Sequence, residues 1–164
     1  MRKLCQREDG FTWIELVVLV ALIGILSALA IPRLRLLYER SLESATKGNI
    51  GAIKSAISIY YGDHEGVWPT ALDVSDRTPG FGFGNYLDTL PAVKATHPAD
   101  PSKSPAGNQV TYKAFTDEPS LAEPNSFGTG WRYDGPRNTN TGRIWVNNSY
   151  TDTEGVSYTT YGYQ

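Results

Sequence analysis

A single acidic side chain interrupts a long apolar segment near the start of the sequence. Residues 11–31 read FTWIELVVLVALIGILSALAI, and Glu15 is the only charged residue among them. A charged side chain at the centre of a membrane helix is unfavourable by about 2.5 to 3.5 kcal/mol. Glu15 lies close to one end of the segment, where water reduces this penalty. A simple membrane anchor does not require a carboxylate here, so we expect Glu15 to have a specific partner.

The apolar segment has the length of a membrane-spanning helix. Its 21 residues would extend ~31 Å as a helix, which matches one hydrocarbon core. Arg2, Lys3 and Arg7 precede it and predict a cytoplasmic N-terminus with an exported C-terminal part. A secretory signal peptide or a simple signal anchor would share these features. Neither explains Glu15, and a signal peptide does not explain the helical pattern that continues beyond the segment.

Residues 32–62 predict an amphipathic continuation of the same helix. Apolar residues recur at spacings of mostly three and four from Leu34 to Tyr60, and charged residues, including Glu43 and Lys47, occupy the other face. Pro32 lacks a backbone donor, so a bend in the helix is expected there. The helix should end near Gly62–Asp63.

The remaining residues, 63–164, are rich in turn-forming types and predict a loop-rich β-sheet domain. A hairpin is expected through the turn 138–142. Predicted strands cover 109–115, 131–133, 143–147 and 157–161. The fold class is therefore α+β: a long N-terminal helical spine, membrane-inserted in its first half, and a small C-terminal antiparallel sheet that covers the apolar stripe.

No arrangement of residues predicts catalysis, so we expect no enzyme activity and no cofactor. His64 and His97 are the only histidines, and both lie in turn-like contexts where solvated loop positions are expected. Calcium remains an alternative ligand, although its potential ligands lack D-x-D spacing. The candidate calcium ligands are Asp100, Asp117, Glu118, Asp134 and Asp152.

The charge and the aromatic residues bear on other binding functions. A net charge of −2 and the lack of a basic groove disfavour nucleic acid as a partner. The C-terminal part is rich in aromatic residues, which we expect to pack in the core and sheet. An exposed adhesive surface is the alternative. These aromatic residues are Trp131, Tyr133, Trp145, Tyr150, Tyr158, Tyr161 and Tyr163.

The start of the apolar segment resembles a known processing signature. Residues 10–16 read GFTWIEL, which is similar to the G-F-T-L-I-E-L signature of type IV pilins and type II secretion pseudopilins. The similarity continues through residues 24–32, GILSALAIP, which resemble the family's helix and its kink proline. It covers about 22 residues and is only architectural beyond residue 62.

The resemblance implies that a membrane prepilin peptidase cleaves the bond between Gly10 and Phe11, and that Phe11 is then N-methylated. It also implies that Glu15 pairs with the new amine of a neighbouring subunit and sets the axial register of a filament. Pairing of Glu15 with its own amine or with the helix dipole is the alternative. The chain would then divide into a leader, a membrane and filament-core helix, an amphipathic helix and a globular domain, with bounds 1–10, 11–31, 32–62 and 63–164.

The implied function is that of a structural subunit in a homo- or heteropolymer of pilin-like chains, in either a pilus or a secretion pseudopilus. A minor or tip subunit that binds a surface, DNA or a substrate is the alternative. An assembly ATPase and an inner-membrane platform protein are implied as partners. The chain would start as a single-pass inner-membrane protein and end in a periplasmic or cell-surface filament.

Three features depart from the family's pattern. Trp13 replaces the usual small or aliphatic residue, and Glu8–Asp9 stand where a basic residue usually precedes the glycine. The family's frequent C-terminal cysteine pair is also missing, because the one cysteine in this sequence is Cys5.

Overall fold

The computed structural model describes residues 10–97, 100–112, 130–136 and 141–162. The chain separates into two compact units, residues 1–37 and 38–164. One helix, α1, runs over Trp13–Asp63 and so contributes to both units. The predicted end of the helix near Gly62–Asp63 is confirmed.

The first unit is an apolar helix whose side chains are all accessible. Every residue from 10 to 37 is exposed, including Leu19, Ile23 and Leu26. The segment is long and apolar enough to cross a membrane, as the sequence predicts. Pro32 lies inside α1. The bend expected at Pro32 stays a prediction.

In the second unit, the C-terminal half of α1 contributes one face to a hydrophobic core. Ile50, Ile53, Ala56, Ile57 and Tyr60 are buried at the predicted spacings of three and four. This confirms the stripe from Ile50 onward. Within the described residues, the N-terminal members of the same predicted stripe are exposed: Leu34, Leu37 and Tyr38.

A three-stranded sheet completes the second unit, with strands in the order β1-β2-β3. The hairpin pairing is confirmed, because β2 and β3 are antiparallel with Trp131 opposite Val146. The expectation of a wholly antiparallel sheet is wrong, because β1 and β2 are parallel with Val110 opposite Trp131. A parallel neighbour needs a long connection, and residues 113–130 provide the necessary length. The strand bounds are Val110–Tyr112, Trp131–Tyr133 and Ile144–Val146.

The predicted last strand over 157–161 is also wrong. Its residues form a 3-10 turn, Tyr158–Thr160, after a single bridge between Thr151 and Ser157. Local bonds replace the ladder, since the Thr160 amide donates to the Ser157 carbonyl and the Tyr161 amide to the Tyr158 carbonyl. A spacing of three then buries both Tyr158 and Tyr161. Two further 3-10 turns cover Phe83–Asn85 and Pro101–Lys103.

The aromatic residues of the C-terminal part pack in the core, as predicted, where the structure describes them. Trp131, Tyr133, Tyr158 and Tyr161 are at most 5% exposed. Buried rings also place polar tips on backbone acceptors, as where the Trp131 indole donates to the Pro91 carbonyl at 2.7 Å. Tyr163 lies outside the described residues.

One helix residue expected on the solvent face is buried instead. Glu43 is 4% exposed, and its buried carboxylate accepts from the amide and the hydroxyl of Thr153 at 2.8 Å each, which compensates for the loss of water. Thr46 makes a similar link, since its hydroxyl oxygen accepts from the amides of Lys94 and Ala95 at 3.0 and 2.8 Å. These contacts tie two loops of the second unit to α1.

The core predicts a large difference between two isoleucines of α1. Ile53 is fully buried and Ile59 is 56% exposed. We expect Ile53→Ala to lower the free energy of unfolding by about 2–5 kcal/mol and Ile59→Ala by less than about 0.5 kcal/mol. Urea denaturation of the full chain in detergent, followed by tryptophan fluorescence, measures both. Equal destabilisation by the two variants would contradict the described core.

Candidate assembly site at the start of the helix

Thr12 and Glu15 form a reciprocal cap at the N-terminus of α1. The helix begins at Trp13, so Thr12 is the N-cap residue and Glu15 the third helical residue. The Thr12 amide and hydroxyl donate to Oε2 of Glu15 at 2.9 and 2.6 Å. In return, the Glu15 amide donates to Oγ1 of Thr12 at 3.3 Å. This is a capping box, which satisfies two donors that a helix start leaves open.

The cap also determines how the Glu15 carboxylate is used. Both bonds from Thr12 fall on Oε2, and a carboxylate can accept about four hydrogen bonds in all. The negative charge lies at the positive end of the helix dipole, which stabilises it. The group therefore retains capacity for a cationic donor while it caps its own helix.

Thr12, the capping partner of Glu15, is not among the site residues predicted from the sequence. Residues 12–15 read TWIE, which matches the S/T-x-x-E/Q signal for a helix start before an apolar run. That signal is present in the sequence. The position of Glu15 inside an apolar segment suggested a partner in another subunit, and its role as a helix cap was therefore not predicted.

Gly10 and Phe11 lie just outside the helix. Both residues are exposed, and Phe11 is 76% exposed. Apart from its two chain neighbours, no heavy atom of the described residues would lie within 4 Å of a Cβ built on Gly10, so those residues do not block approach to the bond between Gly10 and Phe11. Glu8 and Asp9 lie outside the described residues.

Glu15 belongs to an otherwise apolar face of the first unit. An open groove is lined by Glu15 together with Val18, Leu19, Leu22 and Leu26, among other apolar residues. Pro32 does not join this group, since seventeen residues of helix place it ~26 Å from Glu15. The arrangement combines one carboxylate with an apolar surface that is stable only in lipid or against other apolar surfaces.

The candidate calcium ligands do not assemble into a metal site in the described part of the chain. Asp100 accepts from Ser102, and Asp134 accepts from Thr141. No group of three His, Cys, Asp or Glu side chains converges among the described residues. Asp117 and Glu118 lie outside those residues.

Asp152, the remaining candidate, fastens the C-terminal loop to α1. Its carboxylate accepts from the Tyr161 hydroxyl at 2.6 Å, from the amides of Glu154 and Val156, and lies 3.7 Å from Nζ of Lys47. Burial raises the pKa of Asp152, but these donors outweigh burial and the net pKa is lowered. Asp152 is therefore an ionised structural anchor at neutral pH.

The two histidines are half-buried and hydrogen-bonded, which corrects the prediction of solvated loop positions. The ring nitrogens of His64 lie 2.8 Å from the Tyr60 carbonyl and 2.6 Å from the Gly80 carbonyl. Nδ1 of His97 accepts from the Asp100 amide at 2.8 Å.

Comparison with known proteins returns relatives of two kinds. A fimbrial protein, EcpC, of Eikenella corrodens is 46% identical over 64 residues, 39% of this chain and 41% of its own length. Type IV major pilin protein PilE1 of Neisseria gonorrhoeae is 39% identical over 110 residues, 66% of this chain and 51% of its own length. Type II secretion system core protein G of Vibrio cholerae is 27% identical over 130 residues, 74% of this chain and 80% of its own length.

The chain spans only part of the length of several relatives. In EcpC, PilE1 and the major pilin PilA of Myxococcus xanthus, the aligned regions cover 27% to 51% of the relative's own length. No family model matches the chain. No solved structure matches it.

The capping box predicts that Thr12 controls the order of the first helical turn. Thr12→Val removes the hydroxyl and should weaken the cap by about 1 kcal/mol, which raises amide exchange at Glu15 and Leu16 about fivefold. Thr12→Ser keeps the hydroxyl and should leave exchange nearly unchanged. Hydrogen exchange measured by NMR on the full chain in micelles compares the two. Identical exchange in the valine and serine variants would show that the cap contributes nothing.

Proposed function

Because the chain belongs to the family of type IV pilins and type II secretion pseudopilins, we propose that it is a structural subunit of a pilus-like filament. The observation that carries the proposal is the exposed apolar face of residues 10–37, with one carboxylate at the start of its helix. Such a face requires a dry environment, which lipid provides before assembly and neighbouring helices provide afterwards.

Small residues support close packing of such helices. Gly24, Ser27, Ala28 and Ala30 lie within the apolar segment, and all are exposed in the single chain. Small side chains allow helix backbones to approach each other, so dispersion contacts can replace contacts with lipid. A polymer of these helices keeps the apolar surface out of water at every stage.

Processing at Gly10–Phe11 belongs to the same proposal. A prepilin peptidase cleaves this exposed bond and leaves Phe11 as a new N-terminus, which is then N-methylated. The open space around Gly10 supports access of the backbone to an active site. Cleavage creates a cationic amine at Phe11, next to Thr12, and so supplies a cation for the Glu15 carboxylate four residues further along the chain.

In a filament, the Glu15 carboxylate binds the Phe11 amine of a neighbouring subunit. The capping box supports this role, because Thr12 occupies only Oε2 and holds the carboxylate at the helix start. Pairing with the neighbour's amine neutralises a charge that would otherwise enter an apolar filament core. The contact thereby sets the axial position of one subunit relative to the next.

The proposed pathway needs a membrane and partner proteins. Before assembly, the chain lies in the inner membrane with residues 1–10 in the cytoplasm. The basic residues Arg2, Lys3 and Arg7 support this orientation. A cytoplasmic ATPase and a platform protein drive its extraction into a periplasmic or cell-surface filament. The proposal includes no catalytic role.

The relatives bear on the kind of filament. Their names include type IV major pilins and type II secretion core proteins, so the proposal covers both a pilus and a secretion pseudopilus. A tip subunit with its own binding surface is not favoured, because the matched pilins are named as major pilins where a class is given.

Replacing Glu15 with glutamine separates the register role from the cap. Gln accepts the same bonds from Thr12 at this position of a capping box, but it carries no charge. A charge-assisted bond contributes about 1.5–3 kcal/mol, so the filament yield should fall about tenfold or more. Quantification of sheared filaments and of membrane-bound subunit from the same cells measures the effect.

Two matched variants serve as controls for this prediction. Glu39→Gln removes a charge elsewhere on α1 and should leave the yield unchanged, whereas Thr12→Val weakens the cap but keeps the charge of Glu15. A normal filament yield from Glu15→Gln, with normal membrane levels, would overturn the register role.

A further inference from the structure

An open groove on the first unit ends at an arginine side chain. The groove has a volume of about 390 Å³ and is lined by Leu26, Leu29, Ala30 and Arg33. Their helical spacing places the four residues on one face of α1, and all four are exposed in the single chain. We call this surface the arginine groove. It is apolar along most of its length and cationic at its C-terminal end.

The apolar part of the arginine groove has room for a hydrocarbon chain. Leu26 and Arg33 are separated by ~10 Å along the helix axis, and between them Ala30 contributes only a methyl group. Leu26 also lines the apolar groove that contains Glu15, so the apolar surface continues toward the start of the helix. An extended acyl chain can therefore lie along this face.

The position of Arg33 in α1 matches the depth of a membrane surface. Trp13, the first residue of α1, is ~30 Å from Arg33 along the helix, which equals the thickness of one hydrocarbon core. Tryptophan side chains favour the interface between lipid and water. With Trp13 at the cytoplasmic surface, as in the proposed orientation, the Arg33 guanidinium reaches the lipid phosphates on the exported side.

Arg33 has no carboxylate partner in the part of the chain that the structure describes. The ion pairs found there involve other cations, namely Lys47, Arg77 and Lys103. Glu15, the one acidic residue among residues 10–37, lies ~27 Å away along the helix. A guanidinium presents planar donors that match the oxygens of a phosphate. The C-terminal end of the arginine groove therefore suits a phosphate anion.

An anionic phospholipid combines the two properties that the groove requires. Its acyl chain is apolar, and its phosphodiester is an anion at the depth of Arg33. A headgroup with net negative charge leaves the phosphate free to pair with the guanidinium. A zwitterionic headgroup carries its own ammonium, which competes for the phosphate. The charge of the groove therefore favours the anionic lipid.

We propose that the arginine groove binds one anionic phospholipid of the leaflet on the exported side, with an acyl chain beside Ala30 and the phosphate at Arg33. The site rests on the membrane stage of the proposed function and goes beyond it, because it assigns a lipid partner to the stored subunit. Entry of the subunit into a filament then requires release of this lipid.

Native mass spectrometry of the full chain in a non-ionic detergent tests the phosphate contact. The probes are dioleoyl phosphatidylglycerol, which is anionic, and dioleoyl phosphatidylcholine, which is zwitterionic, added in equal amounts. The unaltered chain should retain the anionic lipid in preference. Arg33→Gln should lower the binding constant for this lipid about tenfold, because a charge-assisted bond is lost.

Arg35→Gln is the matched control for the lost charge. Arg35 lies at nearly the same depth as Arg33 but ~200° around the helix, and it does not line the groove. This control should change the binding constant less than about twofold, as expected for a screened surface charge. Equal binding constants in the two arginine variants, or equal retention of the two lipids by the unaltered chain, would overturn the site.

A second pair of variants tests the acyl chain contact without altering any charge. Ala30→Phe places a ring in the groove and should lower retention of the anionic lipid. Ala28→Phe adds the same ring ~200° around the helix from residue 30 and should leave retention unchanged. Excess inorganic phosphate should not displace the lipid, because it has no acyl chain. Full retention by Ala30→Phe, displacement by phosphate, or a dimer that excludes lipid would overturn the site.

The outcomes separate the lipid site from the proposed function. If the unaltered chain forms filaments but retains lipid without preference for Arg33 or Ala30, the filament function stands and the site is rejected. If the chain retains the anionic lipid through these residues but never occurs in a filament, the site stands and the filament function is rejected.

Discussion

The placement of one carboxylate at the start of an exposed apolar helix constrains the rest of this molecule. Glu15 is held by Thr12 through two bonds to a single oxygen, so it caps α1 and still has capacity for a cation. A charge in an apolar surface is tolerated only with such partners. The local cap stabilises the helix start in the separate subunit, and the proposed amine of a neighbour would neutralise the remaining charge in a polymer.

The second unit packs a loop-rich chain against the C-terminal half of α1. A short three-stranded sheet and the buried stripe from Ile50 to Tyr60 provide an apolar core. Buried polar contacts then fasten the loops, as where Glu43 accepts twice from Thr153 and Asp152 accepts from Tyr161.

The helix could be predicted from the sequence, because an unbroken apolar run and an apolar stripe spaced by three and four residues allow few alternatives. Contacts between residues that are distant in the sequence were harder to predict. The parallel partner of β1 depends on a long connection, and the burial of Glu43 depends on Thr153, more than a hundred residues away. The capping role of Thr12 could be predicted from its spacing to Glu15. Glu15 was instead interpreted only as a charge inside an apolar segment, although it has both roles.

The central claim is that proteolysis creates the cation that the carboxylate requires in a filament. Mass spectrometry of filaments sheared from cells tests it most directly, because it identifies the first residue and its modification together. The account predicts a chain that starts at N-methylated Phe11 and lacks residues 1–10. A chain that keeps residues 1–10 and occurs only in the membrane fraction would contradict it.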